Sequence, residues 1–235
     1  RIPNGVNFIN LNCMETLSLN KVLVENKICG IVHLAAFKQA RESAREPLKY
    51  WQSNINSLIS VLRSIDKTPV KKFLFSSSCS VYGASGEVKE NNKLEPISPY
   101  AKTKLSSEMI INDFALNYDI SFIVLRYFNV IGNGNFKLAN DTSEECLVPA
   151  IYSALERKLM PKIFGNDFDT PDGTALRDFI DVRDLSYAHF LAADYLMKNK
   201  KKLNLKINVG KGKPNSVLEV INSFREIFGY NFDYE

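Results

Sequence analysis

Tyr100 and Lys104 stand four residues apart in Ser98-Pro-Tyr-Ala-Lys-Thr-Lys104, a spacing that places two side chains on one face of a helix. A free phenol has a pKa of about 10 and is a poor base at neutral pH. An ammonium beside it favours the phenolate and lowers that value. A lowering of about three units corresponds to about 4 kcal/mol, enough for a tyrosine to give and take a proton near pH 7. Among ten tyrosines and many lysines, about one such pair arises by chance. Taken alone, an exposed helical pair is the plainer reading. The serine run Phe75-Ser-Ser-Ser-Cys-Ser-Val-Tyr-Gly83 adds context. It ends a strand-like segment, and in open α/β sheets ligands bind at the carboxyl ends of the strands.

The elements that must carry these residues alternate. Apolar runs at Val6–Leu11, Ile31–Ala36, Lys72–Ser76 and Ile120–Phe128 predict buried strands. Between them, Glu15–Lys27 and Pro47–Ser64 read as helices, the latter with Trp51, Ile55, Leu58, Ile59 and Leu62 as its apolar stripe. Ser98 as N-cap and Pro99 at the first position open a helix running to about Tyr118. Further on, helices are predicted at Leu147–Arg157, Asp184–Lys198 and Ser216–Phe228, and strands at Asp178–Val182 and Leu205–Val209. Strands joined through helices imply parallel crossovers, hence an α/β fold with a doubly wound parallel sheet. The division expected is a sheet-forming part at 1–129 and a smaller lobe at 130–235 with segments returning to the sheet.

With the serines, Tyr100 and Lys104 form the Ser/Tyr/Lys arrangement of short-chain dehydrogenases/reductases. His33-Leu-Ala-Ala-Phe-Lys38, Leu125-Arg-Tyr-Phe-Asn129, Ile163-Phe-Gly-Asn-Asp-Phe168 and Asp172-Gly-Thr-Ala-Leu-Arg-Asp-Phe-Ile180 occur in order. Together they resemble the UDP-glucose 4-epimerases of the extended branch, over essentially the whole chain. The resemblance implies a Rossmann-like sheet, bound NAD and a UDP-hexose substrate inverted at C4 through a 4-keto sugar. It makes Ser78 a partner of the sugar 4-hydroxyl, Tyr100 the acid/base and Lys104 its electrostatic partner and a ribose ligand. By the same resemblance Asn12, Leu34, Ala35, Ala36, Phe37, Lys38, Ser53 and Phe128, with Tyr100 and Lys104, contact NAD. Ser80, Asn129, Leu147, Lys162, Phe164 and Arg177, with Ser78, contact the sugar nucleotide; an Arg suits a diphosphate because its planar fork donates bidentately. A homodimer through Pro47–Ser64 and Pro99–Tyr118 is also implied.

Three positions depart from the family pattern: Asn12 where an Asp is usual, Cys146 for an Asn expected at the diphosphate, and Asp181 for a frequent His. Gly210-Lys-Gly-Lys-Pro-Asn215 imitates a dinucleotide fingerprint but lacks its third glycine. It reads as a strand-to-helix turn with Ser216 as the helix cap. Gly132-Asn-Gly134 fails likewise, with Lys137 where the last glycine would stand. No glycine-rich segment of the family precedes Val6, and the chain opens on Arg1 without Met; by the resemblance that segment and further diphosphate ligands are expected outside Arg1–Glu235. A shortened, non-catalytic binding module is therefore one alternative reading, with weak NAD binding by the chain as it stands. A dehydratase or decarboxylase on the same fold is the other; Ser77 and Ser78 stand where dehydratases carry Asp and Glu.

Composition bounds the rest. With 235 residues, 45% hydrophobic and 24% charged, the chain is an ordinary globular one, neither disordered nor a disulfide-stapled miniature. A net charge of +4, with one basic run at Lys198-Asn-Lys-Lys-Lys202, fits a solvated helix end better than a nucleic-acid surface. No apolar run reaches the roughly 18 residues of a membrane helix, and no signal-peptide layout opens the chain. Cys13, Cys29, Cys79 and Cys146 form no C-x-x-C pair, and with His33 and His189 alone beside them no metal site is expected. Reduced thiols and a cytoplasmic location are the expectation.

Overall fold

The computed structural model describes residues 2–84, 86–134, 143, 145–229 and 232–235; Lys137 lies outside them. The chain divides into two units, Arg1–Tyr127 with Ser186–Val209, and Phe128–Leu185 with Gly210–Glu235. In chain order the first unit holds α1 (Thr16–Glu25), β1 (Gly30–His33), α2 (Ala40–Arg45) and α3 (Pro47–Tyr50). A π turn (Trp51–Ile55) and α4 (Asn56–Ser64) follow, then β2 (Lys72–Ser78), a 3-10 turn (Cys79–Tyr82), α5 (Pro99–Asn117) and β3 (Ser121–Tyr127). The strands β4 (Asn129–Ile131) and β5 (Leu176–Asp181) and the helix α6 (Leu147–Glu156) belong to the second unit. Next come α7 (Val182–Lys198) and β6 (Asn204–Val209), and finally β7 (Pro214–Ser216) and α8 (Val217–Phe228).

The first unit is a four-stranded sheet in the order β1-β2-β3-β6, every neighbouring pair parallel. Its central strands are apolar on both faces, as a sheet covered on both sides requires. Phe73, Phe75, Phe122 and Val124 pack with Leu58, Val61 and Leu62 of α4 and Ile111 of α5. The alternate residues Leu74, Ile123 and Leu125 pack with Ala192 and Leu196 of α7. This is the doubly wound, Rossmann-like α/β arrangement expected. Ser98 caps α5 by accepting from the Ala101 N–H at 3.1 Å, so Tyr100 and Lys104 sit on a well-started helix.

In the second unit β4 pairs with β5 in parallel, and β5 with β7 antiparallel. Ile151 of α6 packs with Ile221 and Phe224 of α8. Ser216 closes a full capping box with Glu219 at the start of α8. The Gly210–Asn215 segment is a turn: its Lys211 and Gly212 N–H groups donate to the two carboxylate oxygens of Asp178 at 2.9 and 2.8 Å. A Cβ at Gly210 would meet Asp178 Oδ2 at 2.5 Å. That loop therefore cradles the protein's own carboxylate.

Two sequence expectations fail in the first unit. Val6–Leu11 forms no strand: Val6, Phe8 and Ile9 are exposed, and the segment has no ladder partner among the described residues. An apolar run supplies side chains for a sheet, but a strand exists only where its backbone groups are paired. The helix over 47–64 forms, yet Trp51 is exposed, Ile55 and Ile59 are half-buried, and the inward face carries Tyr50, Asn54, Ser57, Leu58, Val61 and Leu62. The π turn adds one residue to a helical turn, so a stripe drawn at α-helical spacing across it loses register.

Candidate active site

Three serines at the end of β2 each hold one residue on a single face of α5. The Ser76 carbonyl accepts from Lys104 Nζ at 2.8 Å. Ser77 Oγ donates to Glu108 Oε1 at 2.6 Å. The Ser78 hydroxyl interacts with the Tyr100 phenol. Tyr100, Lys104 and Glu108 follow one another at four-residue spacing, so a helix brings all three to one stripe. The stripe faces the sheet and is buried, which is why α5 lacks a clean apolar face in sequence.

Burial changes the electrostatics expected from spacing alone. It pushes the Tyr100 phenol well above the ordinary tyrosine value, and Tyr127 nearby adds to the effect; the Ser78 hydroxyl opposes both. Lys104 Nζ lies 5.9 Å from the Tyr100 ring centroid and is aimed at the Ser76 carbonyl. Burial brings its own pKa down to about 8, with Glu108 acting against that. Burial thus keeps Tyr100 a protonated phenol at neutral pH. Ser76 Oγ lies 2.9 Å from His189 Nε2 and is hydrogen-bonded to Tyr127, which braces the strand end from the other side.

The loop 34–38 that leaves the carboxyl end of β1 is exposed at each of its residues, with Phe37 packed on one side against Tyr50. It is pinned from behind by Asn54, whose Oδ1 accepts from the Phe37 N–H at 2.8 Å and whose Nδ2 donates to the Phe37 carbonyl at 3.1 Å. Asn54 Nδ2 also donates to Thr103 Oγ1 on α5. Asn54 is buried, whereas Ser53 beside it is half-buried. Asn54, the neighbour of the Ser53 expected at the cofactor, is thus the residue that grips the loop. Asn12 is exposed and its Oδ1 accepts from the Met14 N–H at 3.0 Å.

The donors at this strand end suit a dinucleotide ribose at Lys104 and a sugar nucleotide at Ser80. Lys104 is a buried ammonium with Ser76 O as its one hydrogen-bond acceptor among the described residues. The Ser80 hydroxyl is buried without any partner among them. Both ask for oxygens from outside the chain.

Phe128, Asn129, Leu147, Lys162, Phe164 and Arg177 lie in the second unit. Phe164 and Arg177 are exposed, Arg177 Nη1 donates to the Leu176 carbonyl at 2.6 Å, and Lys162 pairs with Glu235 at 3.1 Å. Cys146 is the N-cap of α6 and makes no capping side-chain bond. Asp181 is held by Arg183, with Nε and Nη2 donating at 2.9 and 2.8 Å, which keeps its carboxyl down at about 2.

Residues 1–210 match the NAD dependent epimerase/dehydratase family. The chain belongs to that family. Among curated members of known activity, the UDP-glucose 4-epimerase of Lactobacillus helveticus is 36% identical over 225 residues, covering 94% of this chain and 68% of the relative. That of Lacticaseibacillus casei is 37% identical, covering 90% and 65%. This epimerase/dehydratase family member thus spans about two thirds of the length of those relatives. Among solved structures, the Brucella ovis UDP-glucose 4-epimerase in complex with NAD superposes with a TM-score of 0.89 at 30% identity, over 97% of this chain and 71% of that one. The Stenotrophomonas maltophila enzyme, with bound NAD and formylated UDP-arabinopyranose, gives 0.88 at 31% identity, over 97% and 69%.

Proposed function

We propose that the protein interconverts UDP-galactose and UDP-glucose by NAD-dependent epimerisation at C4. The observation that carries this reading is the grip of three consecutive serines on Tyr100, Lys104 and Glu108, in a chain whose relatives are UDP-glucose 4-epimerases. Tyr100 takes the proton of the sugar 4-hydroxyl and returns it to the 4-keto oxygen as C4 is reduced from its opposite face. Ser78 orients that hydroxyl, and Lys104 holds the ribose while its charge stabilises the Tyr100 phenolate. Bound NAD would supply a reversible hydride acceptor for C4 and a positive ring that favours the Tyr100 phenolate. Leu34, Ala35, Ala36, Phe37 and Lys38 line the cofactor from the β1 end, with Asn12, Ser53 and Phe128 as further contacts. Ser80, Asn129, Leu147, Lys162, Phe164 and Arg177 bind the sugar nucleotide, Arg177 at the diphosphate.

The test is direct. Purified protein supplied with NAD and UDP-galactose, and no other reductant, is expected to yield UDP-glucose by proton NMR. A 4-keto-6-deoxy product would favour a dehydratase instead; tight UDP-sugar binding without turnover would favour a binding module. Replacing Asn54 by Ala frees the Phe37 backbone and is expected to weaken NAD binding about tenfold, or about 1.4 kcal/mol. Calorimetric titration would read this, and an unchanged affinity would remove Asn54 from the cofactor site.

A homodimer and a cytoplasmic location complete the proposal. Leu48, Met109 and Leu116, all strongly exposed, supply apolar surface on α3 and α5 for the former. Four free thiols support the latter. No described helix is long and apolar enough to cross a membrane.

A further inference from the structure

The most deeply buried charges in the first unit are absent from the reaction just described. Arg126 on β3 and Glu108 on α5 form an ion pair with side chains 1% and 0% exposed. Arg126 donates from Nε to Glu108 Oε1 at 3.0 Å and from Nη2 to Oε2 at 2.6 Å. Its Nη1 donates to Tyr82 Oη at 2.8 Å and to the Glu90 carbonyl at 3.3 Å. Tyr82 closes the 3-10 turn that follows the serine run, and its Oη donates to Asn208 Oδ1 on β6 at 2.7 Å. Glu108 Oε1 also receives Ser77 Oγ, the serine between the two that hold Lys104 and Tyr100.

A buried pair of this kind is a poor investment in stability alone, because desolvation offsets the attraction. Its geometry serves something else. Glu108 is the one side chain that is bonded to the middle of the serine run, ion-paired to β3, and one helical turn from Lys104. We propose that Glu108, clamped by Arg126, is a positioning residue: it sets the register of α5 against the end of β2 and so aligns Tyr100 and Lys104 for proton transfer. The groups facing Lys104 are Tyr100 and Glu108 from its own helix, His33 from β1 and the Ser76 carbonyl from β2. Glu108 is the sole anion of the set, and its charge acts on Lys104 in the direction that keeps the ammonium protonated. The role rests on the epimerase reading for its effect on rate, though its effect on Lys104 does not.

Glu108→Gln, Glu108→Asp and the double replacement of Glu108 by Gln with Arg126 by Met decide the matter, each in the NAD-loaded protein. Three quantities are read: UDP-galactose turnover, the thermal midpoint, and the pH titration of the Lys104 ammonium by NMR. Glu108→Gln is expected to lower kcat about a hundredfold, the scale of a misplaced reacting group, with KM little changed. Lys104 should titrate at lower pH, since it loses its anion and faces an unpaired Arg126. The double variant has no unpaired buried charge and is expected to regain the thermal midpoint, but not the rate. Glu108→Asp, which keeps the charge, should recover part of it. Return of the rate with the midpoint in the double variant, or an unmoved Lys104 titration, would overturn the proposal. If Glu108→Gln does not fold, the double variant alone gives both readings. Absence of turnover in the unaltered protein would count against the epimerase reading, leaving the Lys104 titration to decide the positioning role.

Discussion

Replacing Tyr100 by Phe is expected to lower UDP-galactose turnover by about a thousandfold, within the range general acid/base groups contribute. The substitution removes one oxygen from a side chain that is 8% exposed, so packing against Tyr50, whose ring meets Tyr100 edge-on at 6.4 Å, survives. Stability should change little, because the phenol's lost partner is a single serine hydroxyl. KM should stay near its original value, since the sugar nucleotide would keep the binding groups proposed in the second unit. The measurement is a kcat and KM pair with a thermal melt on each protein. A variant that keeps its rate within a few-fold would end the acid/base assignment.

The second large effect concerns stability and pH. His33 ends β1 at 5% exposure, its ring stacked 6.2 and 6.0 Å from the rings of Phe73 and Phe75. Burial, and then the nearby Lys104, lowers its pKa from 6.5 to about 4. An unfolded chain protonates this imidazole once pH falls below 6.5; the folded one refuses the proton until about 4. Stability is therefore untouched by this group above pH 6.5, declines as pH falls through the window, and is lower by about 3 kcal/mol below it. Carboxylates add their own pH dependence, so the difference between unaltered protein and His33→Phe isolates the term. Their thermal midpoints are expected to converge with rising pH and to diverge, the variant higher, toward pH 4.5. Parallel curves across that range would refute the account.

Much of the first unit was legible because its signals are local. The apolar run at 73–75 and the Ser98-Pro99 cap report directly on β2 and α5. The stripe Tyr100, Lys104, Glu108 was legible only in its first two members, since nothing in a lone sequence says that Glu108 meets Arg126 across 18 residues. His33 was visible as part of a strand-end motif, but its stacking between two phenylalanines depends on the β1–β2 register, His33 opposite Phe75. The grip of Asn54 on Phe37 is not legible in sequence, because it depends on how the helix winds at the π turn. Val6–Leu11 fails for the opposite reason: its residues suit a strand, but pairing is a property of two segments.

The π turn at Trp51–Ile55 has a consequence for how this protein tolerates insertions and deletions. It separates a helix into two phases: Tyr50 and Asn54 serve the loop at Phe37, while Leu58 and Leu62 serve the core. Deleting one residue there would only restore ordinary winding, whereas deleting one from the α turn that follows it would rotate one half about 100° against the other. The core half is anchored, so the half facing Phe37 would turn away. A shortened chain of this kind would keep its hydrophobic interior and its melting behaviour while losing the grip on the strand-end loop, an allele stable in the cell and silent in the assay.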